Sequence, residues 1–73
     1  MTHTVAAELV GSIGQVMVSV GDTVVATDTL VIIESMKMEI PVLAEVAGTI
    51  AVLAVEPGSQ VTEGDVIAVI EAP

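Results

Sequence analysis

The sequence predicts an all-β fold, a flattened barrel or sandwich of two sheets, on three observations. Val, Ile and Thr supply 29 of the 73 residues, and β-branched side chains suit a pleated surface. Apolar stretches are cut at short intervals by Gly, Asp, Pro and Ser, the residues that turns demand. The chain also matches itself: at an offset of 37 residues, segment 7–36 lies on segment 44–73 without a gap.

Six apolar stretches follow in order as strands. Residues 6–10 come first and stop at Gly11. Residues 13–20 end at the Gly21-Asp22 turn, and residues 30–33 begin after Asp28. Residues 40–46 and 50–55 flank the Gly48-Thr49 step, with Pro57-Gly58 closing the second. Residues 66–70 follow Glu63-Gly64-Asp65. Segment 42–55 holds four of the nine alanines and is the one stretch readable as helix. Gly48 and the β-branched Val46, Thr49, Ile50, Val52 and Val55 oppose that, so it reads as two strands. Strict apolar/polar alternation fails in several runs, so inner and outer faces are not assigned.

In the self-match, 10 of 30 positions are identical: Ala7/Ala44, Glu8/Glu45, Gly11/Gly48, Ile13/Ile50, Val18/Val55, Gly21/Gly58, Val24/Val61, Asp28/Asp65, Ile33/Ile70 and Glu34/Glu71. The Gly11/Gly48, Gly21/Gly58 and Asp28/Asp65 pairs read as turn positions. Neither half can bury an apolar face alone, so the halves pack together with approximate two-fold symmetry. A chain of this length does not divide, and one domain over residues 1–73 is expected. Lys37 falls just past the first half, and its counterpart would be residue 74, one beyond the last. The symmetry mate of the Lys37 connection is therefore the pair of chain ends. The connection is expected to be exposed at the end of the molecule opposite them.

Composition excludes several functions. Ten acidic residues stand against one basic residue, Lys37, for a formal net charge of −9, so a polyphosphate backbone is repelled. With no aromatic residue there is no stacking platform for bases, and nucleic acid is excluded as a partner. The acidity reads first as solubility for a very apolar small protein, with attraction to a basic partner surface as the sharper alternative. The absence of Cys and the single His3 leave no disulfide and no Cys/His zinc site. Glu63 and Asp65 lack EF-hand spacing, so no metal is expected. The longest uncharged run, residues 9–21, is too short and too rich in Gly, Ser and Gln to span a bilayer. No leader pattern opens the chain, so a cytoplasmic location and no membrane partner are expected. No catalytic residue is expected either: there is no serine triad, no phosphate cradle and no defensible carboxylate pair. Gly11-x-x-Gly14 reads as no more than a turn.

The chemistry concentrates in Glu34-Ser35-Met36-Lys37-Met38-Glu39. These residues do not favour a tight hairpin, because two-residue loops select Asn or Gly at positive φ. A turn here is expected to be strained, and strain tolerated at an exposed position points to function. As the only Lys or Arg among 73 residues, Lys37 reads as more than an ordinary solvated lysine. Met36 and Met38 read in the bland case as core fillers, but beside an exposed tip they suit contact with several partner surfaces.

This hexapeptide resembles the attachment motif of the biotinyl domain family, the biotin carboxyl carrier domains. The Gly21-Asp22 turn, Asp28, Gly48-Thr49-Ile50 and the stretch from Pro57-Gly58 to Glu63-Gly64-Asp65 are similar to the family's pattern, so the resemblance covers the whole chain. Ser35 stands where the family most often has alanine. The chain lacks the protruding loop of some acetyl-CoA carboxylase carriers. No Pro/Ala-rich tether precedes residue 5, which makes it more similar to minimal, free-standing biotin/lipoyl attachment proteins.

The resemblance implies a barrel-sandwich hybrid of two four-stranded antiparallel sheets. It implies biotin in amide linkage to Lys37, with Glu34, Ser35, Met36 and Met38 completing the site. The implied partners are a biotin protein ligase and the biotin carboxylase and carboxyltransferase components between which a carboxyl group is shuttled. The carrier itself is expected to be non-catalytic and monomeric in isolation. A lipoyl carrier on the same fold is the alternative, although that family presents Asp-Lys-Ala where this chain has Met36-Lys37-Met38. An unmodified β-sandwich interaction module is the third reading. A solvated lysine is almost wholly protonated at neutral pH, and Glu34 and Glu39, if close, help hold the charge. Acylation therefore needs an enzyme that desolvates and deprotonates the amine. A group carried on such an arm reaches an effective concentration on the order of millimolar at a partner site.

Overall fold

The β-branched stretches fold into eight strands without a helix, and the computed structural model describes residues 1–73. The strands are β1 (Thr2–Ala6), β2 (Gly11–Val16), β3 (Thr23–Val24), β4 (Thr29–Ser35), β5 (Met38–Leu43), β6 (Gly48–Leu53), β7 (Gln60–Val61) and β8 (Val66–Glu71). They build two four-stranded antiparallel sheets, in the orders β1-β8-β6-β3 and β5-β4-β2-β7. A shift of 37 residues exchanges β1 with β5, β2 with β6, β3 with β7 and β4 with β8, converting one sheet order into the other. The sequence repeat is thus a two-fold relation between the sheets.

The first apolar stretch is displaced from its expected place. Its strand is Thr2–Ala6, while residues 8–9 bend. Ala7, 3% exposed, continues the pairing with the β8 side one step further, its N–H donating to Asp65 O at 2.8 Å. The two-residue strands β3 and β7 add a pair that no alternation pattern marks, being too short to show one. With β1 matched to β5, Met1/Met38 and Val5/Val42 join the identical pairs. The halves are then 1–36 and 38–73, and Lys37 alone stands between them.

Four bulges account for the broken alternation. Gly14 is the extra residue of β2 against β4, and its mate Ala51 is the extra residue of β6 against β8. Leu30 in β4 and its mate Ile67 in β8 are the other two. A bulge places two successive residues against one partner, so Leu30 and Val31 are both buried, as are Ile67 and Ala68. The core consists of the pairs Ala7/Ala44, Ile13/Ile50, Val24/Val61, Leu30/Ile67, Val31/Ala68 and Ile33/Ile70, together with Val5. Each large member contributes about 1.5–3 kcal/mol by leaving water, and no polar side chain is buried among them.

The turns repeat as well. Gly21 and Gly58 lie at φ 96 and 91. The Val25 and Thr62 N–H groups donate to Asp28 and Asp65 Oδ2, each at 2.9 Å, so both halves keep an aspartate to close the same turn. Gly11 and Gly48 depart from expectation, since they open strands β2 and β6 rather than forming turns. A Cβ on Gly11 would sit 2.7 Å from Glu34 O and from Ile33 Cγ2. On Gly48 it would meet the mates of those atoms, Glu71 O and Ile70 Cγ2. Close approach of backbones, not turning, keeps this pair small.

One local difference separates the halves. Gly64, at φ 93, donates its N–H to Ala7 O at 2.8 Å. Its mate Thr27 does not take a positive φ, and there Ala26 O instead accepts from Glu45 N at 2.9 Å, with Glu45 at φ 73. The Glu45 carboxylate meets His3 Nε2 at 3.1 Å, and both side chains are exposed.

Strand direction places the Lys37 connection. The chain ends pair with each other, Ala72 N donating to Met1 O at 2.7 Å, and β1 runs away from them. Beyond its far end, Val10 O accepts from Ser35 Oγ next to the β4–β5 hairpin. The molecule measures 36 × 18 × 17 Å, with the chain ends and the hairpin at opposite ends.

Candidate functional site

Strands β4 and β5 pair through Ile33↔Ile40, Glu34↔Glu39 and Ser35↔Met38, leaving Met36 and Lys37 as a two-residue loop. Both are left-handed, at φ 51 and 67, the sign pattern of a type I′ turn, whose twist matches the strands it joins. The residues are not those such a turn selects. An L-residue in this region is disfavoured by about 1–2 kcal/mol. The conformation is imposed by β4, whose buried Leu30, Val31 and Ile33 fix the register below the tip. A tight hairpin therefore forms where local chemistry alone disfavours one, and the expected strain is present.

Lys37 is exposed at the apex and its Nζ makes no ion pair with any carboxylate. Glu34 and Glu39 face each other across the hairpin, and neither comes within ion-pair distance of the ammonium. The Glu34 side chain lies instead over Gly14 of β2. A Cβ on that glycine would be 2.8 Å from Oε2 and 2.9 Å from Cδ. Two exposed carboxylates directly opposite each other disfavour the pairing slightly.

Ser35 Oγ donates to Val10 O at 2.8 Å, tying the hairpin base to the β1–β2 connection. Its symmetry mate is Ala72, which has no hydroxyl, so this clamp exists only at the hairpin end. Met36 is 91% exposed and Met38 62%, which rules out the core-filling reading of both. Val10, whose carbonyl accepts the Ser35 bond, is 63% exposed as well. A shallow depression of about 280 Å³ is lined by residues 34–39. A larger apolar groove of about 420 Å³ runs between the edge strands β1 and β5 and is lined by Val5, Ala6, Ile40, Val42 and Leu43 among others.

The structure thus brings Glu34, Ser35, Met36, Lys37 and Met38 together on one hairpin, as their adjacency in sequence ensures. It adds two residues that sequence reasoning left out of the site. Val10 accepts the Ser35 hydroxyl bond, and Gly14 leaves room for the Glu34 side chain. Gly11-x-x-Gly14 was the available signal. It marks the strip of β2 on which the outer part of β4 lies, not a turn.

Chemically, the arrangement offers a primary amine in water on a shaped turn between two exposed methionines, with no carboxylate within ion-pair distance of the nitrogen. It fits acylation by a second protein, since a group joined to Nζ would project into solvent without displacing any internal contact. The biotin/lipoyl family model, described as "Biotin-requiring enzyme", matches residues 2–70. The chain belongs to that family.

This biotin/lipoyl domain is 57% identical over 44 residues to the "Biotinylated protein TB7.3 homolog" of Mycobacterium leprae, a match covering 60% of this chain and 62% of the relative. It is 52% identical over 44 residues, with the same shares, to "Biotinylated protein TB7.3" of Mycobacterium tuberculosis. Two solved structures have the same architecture. Kluyveromyces lactis urea carboxylase superposes with a TM-score of 0.90 at 34% identity, over 97% of this chain and 6% of that one. A single-chain, multi-domain long-chain acyl-CoA carboxylase superposes with a TM-score of 0.91 at 29% identity, over 99% of this chain and 7% of that one. The biotin/lipoyl domain therefore corresponds to a small part of each carboxylase chain. No helix is long and apolar enough to cross a membrane.

Proposed function

We propose that a biotin protein ligase attaches biotin to Lys37 Nζ, making this domain the carrier of a biotin-dependent carboxylase. The observation that carries the reading is the one lysine ammonium of the chain, exposed and free of ion pairs, on a two-residue turn held at positive φ. Family membership, the biotinylated relatives and the two carboxylase neighbours support it.

In this reading Lys37 Nζ gives up a proton inside the ligase and its lone pair attacks the acyl carbon of biotinyl-adenylate. The bond from that carbon to the AMP phosphate oxygen breaks, AMP departs, the nitrogen loses a second proton, and an amide replaces the ammonium. The formal charge then moves one unit below −9. Met36 and Met38 supply apolar surface to the enzyme that closes over the tip, Ser35 holds the hairpin base to Val10, and Glu34 and Glu39 form its acidic flanks. When bound, biotin supplies the means of moving a carboxyl group from a biotin carboxylase to a carboxyltransferase. The domain contributes position and no catalysis. It acts in the cytoplasm as a monomeric unit that visits both partners.

A streptavidin blot of protein from biotin-replete cells with an active ligase tests this directly. Signal from the parent chain and none from Lys37→Ala is the expected result. Absence of signal from the parent refutes it, and a lipoyl adduct found on Lys37 by mass spectrometry replaces it with the alternative carrier.

A further inference from the structure

We propose that Met36 and Met38 form a reversible oxidation site that gates acylation of Lys37: a hydroperoxide converts their thioethers to sulfoxides, and the acylating enzyme then refuses the hairpin. The proposal rests on the reading of Lys37 as the acceptor.

The distribution of sulfur points to it. The chain has no cysteine, so the thioethers of Met1, Met17, Met36 and Met38 are its only sulfur, and all four are exposed, at 89%, 56%, 91% and 62%. None is in the core. An unbranched apolar residue is ordinarily a gap-filler in such a core, yet here the interior is built from Ile, Val, Leu and Ala alone. Of the four, only Met36 and Met38 bracket the single lysine.

The step balances without help from the protein. A sulfur lone pair attacks the distal oxygen of the hydroperoxide, the O–O bond breaks, and the departing oxygen leaves as water or an alcohol after taking up a proton. Sulfur is oxidised by two electrons and the peroxide reduced by two. Sulfoxide reductases reverse the change at the expense of a dithiol, one enzyme for each sulfoxide epimer.

The consequence follows from desolvation. Any enzyme reaching Nζ must remove water from the neighbouring side chains, which is favourable for a thioether and unfavourable for a sulfoxide, whose oxygen is a strong acceptor. The tip offers that oxygen little in exchange. Glu34 and Glu39 carry only acceptors when ionised, and the one cationic donor nearby is the Lys37 ammonium, whose proton must leave for acylation. Because the tip lies outside the core, oxidation there changes recognition and leaves the fold intact.

The test uses the full chain, hydrogen peroxide, a biotin protein ligase with biotin and ATP, and peptide mass mapping of each methionine. With both tip sulfoxides formed, the initial acylation rate falls by at least about tenfold while the circular dichroism spectrum is unchanged. Sulfoxide reductases of both epimer types restore the rate, and a Met17→Leu variant shows the same loss and recovery. A doubly oxidised tip acylated at the untreated rate overturns the proposal alone, as does a loss that Met17→Leu abolishes or that the reductases do not reverse. An untreated chain that the ligase ignores overturns the acceptor reading, and the gate with it.

Discussion

Replacing Met36 by Asn and Lys37 by Gly converts the hairpin tip to the dipeptide that type I′ turns favour, and the protein becomes more stable as it loses its one lysine. At φ 51 and 67, each native residue is disfavoured by about 1–2 kcal/mol. Glycine removes that term at position 37 but adds backbone freedom to the unfolded chain, an opposing effect of about 0.5–1 kcal/mol. Asn tolerates the left-handed region better than Met does. Both native side chains are exposed, so little burial is lost. The balance is a gain of about 1 kcal/mol, which for a domain of this size raises Tm by about 4–8 °C. Lys37→Ala is the control, because Ala keeps a Cβ at positive φ and leaves most of the strain in place. Thermal unfolding followed by circular dichroism compares the three proteins, and a streptavidin blot confirms that both variants are unmodified. A double variant no more stable than Lys37→Ala would show that the tip is not strained, and the link drawn between strain and function would fail.

Three further outcomes are expected. Gly11→Ala places a methyl 2.7 Å from Glu34 O and Ile33 Cγ2 and destabilises by about 1–3 kcal/mol in urea titration; Ile33 and Glu34 adjoin the hairpin base, so hydrogen exchange there quickens too. Ser35→Ala removes the bond to Val10 O, lowering stability by about 0.5–1.5 kcal/mol, with faster exchange at the amides of residues 36–38 and none of that change at the chain ends. Ile50→Ala empties a site that is 1% exposed and costs about 2–5 kcal/mol, a large share of a total near 5–15 kcal/mol, which a shifted thermal transition reports.

The fold was legible where the chemistry is local or the pattern long. β-Branched stretches and turn residues are read within a few positions, and the repeat is strengthened by the Asp28/Asp65 and Gly21/Gly58 turns, whose geometry both halves need. Bulges were not legible. Whether Leu30 or Ile67 is the extra residue depends on what stands opposite in the partner strand, and no window along one strand contains that information. Strand β1 was misplaced for a related reason. Residues 6–10 are more apolar than Thr2-His3-Thr4, yet β8 pairs with the latter, and pairing outweighs hydropathy at an edge. At the site, Lys37 stood out by being alone, and its place at the tip followed from symmetry. The Ser35–Val10 bond joins positions 25 apart in sequence, and Glu34 reaches Gly14 only because β2 and β4 are neighbours. Both depend on sheet order.

The paired chain ends divide the molecule into a handle and a working pole. A polypeptide joined before Met1 or after Pro73 departs from the handle, at the far end of the 36 Å dimension from Lys37. Splicing the domain into a larger protein therefore leaves its amine unshaded, whatever is attached behind. Sealing the ends and cutting the hairpin would move the handle to the other pole, and the Lys37 amine would then stand beside the tether.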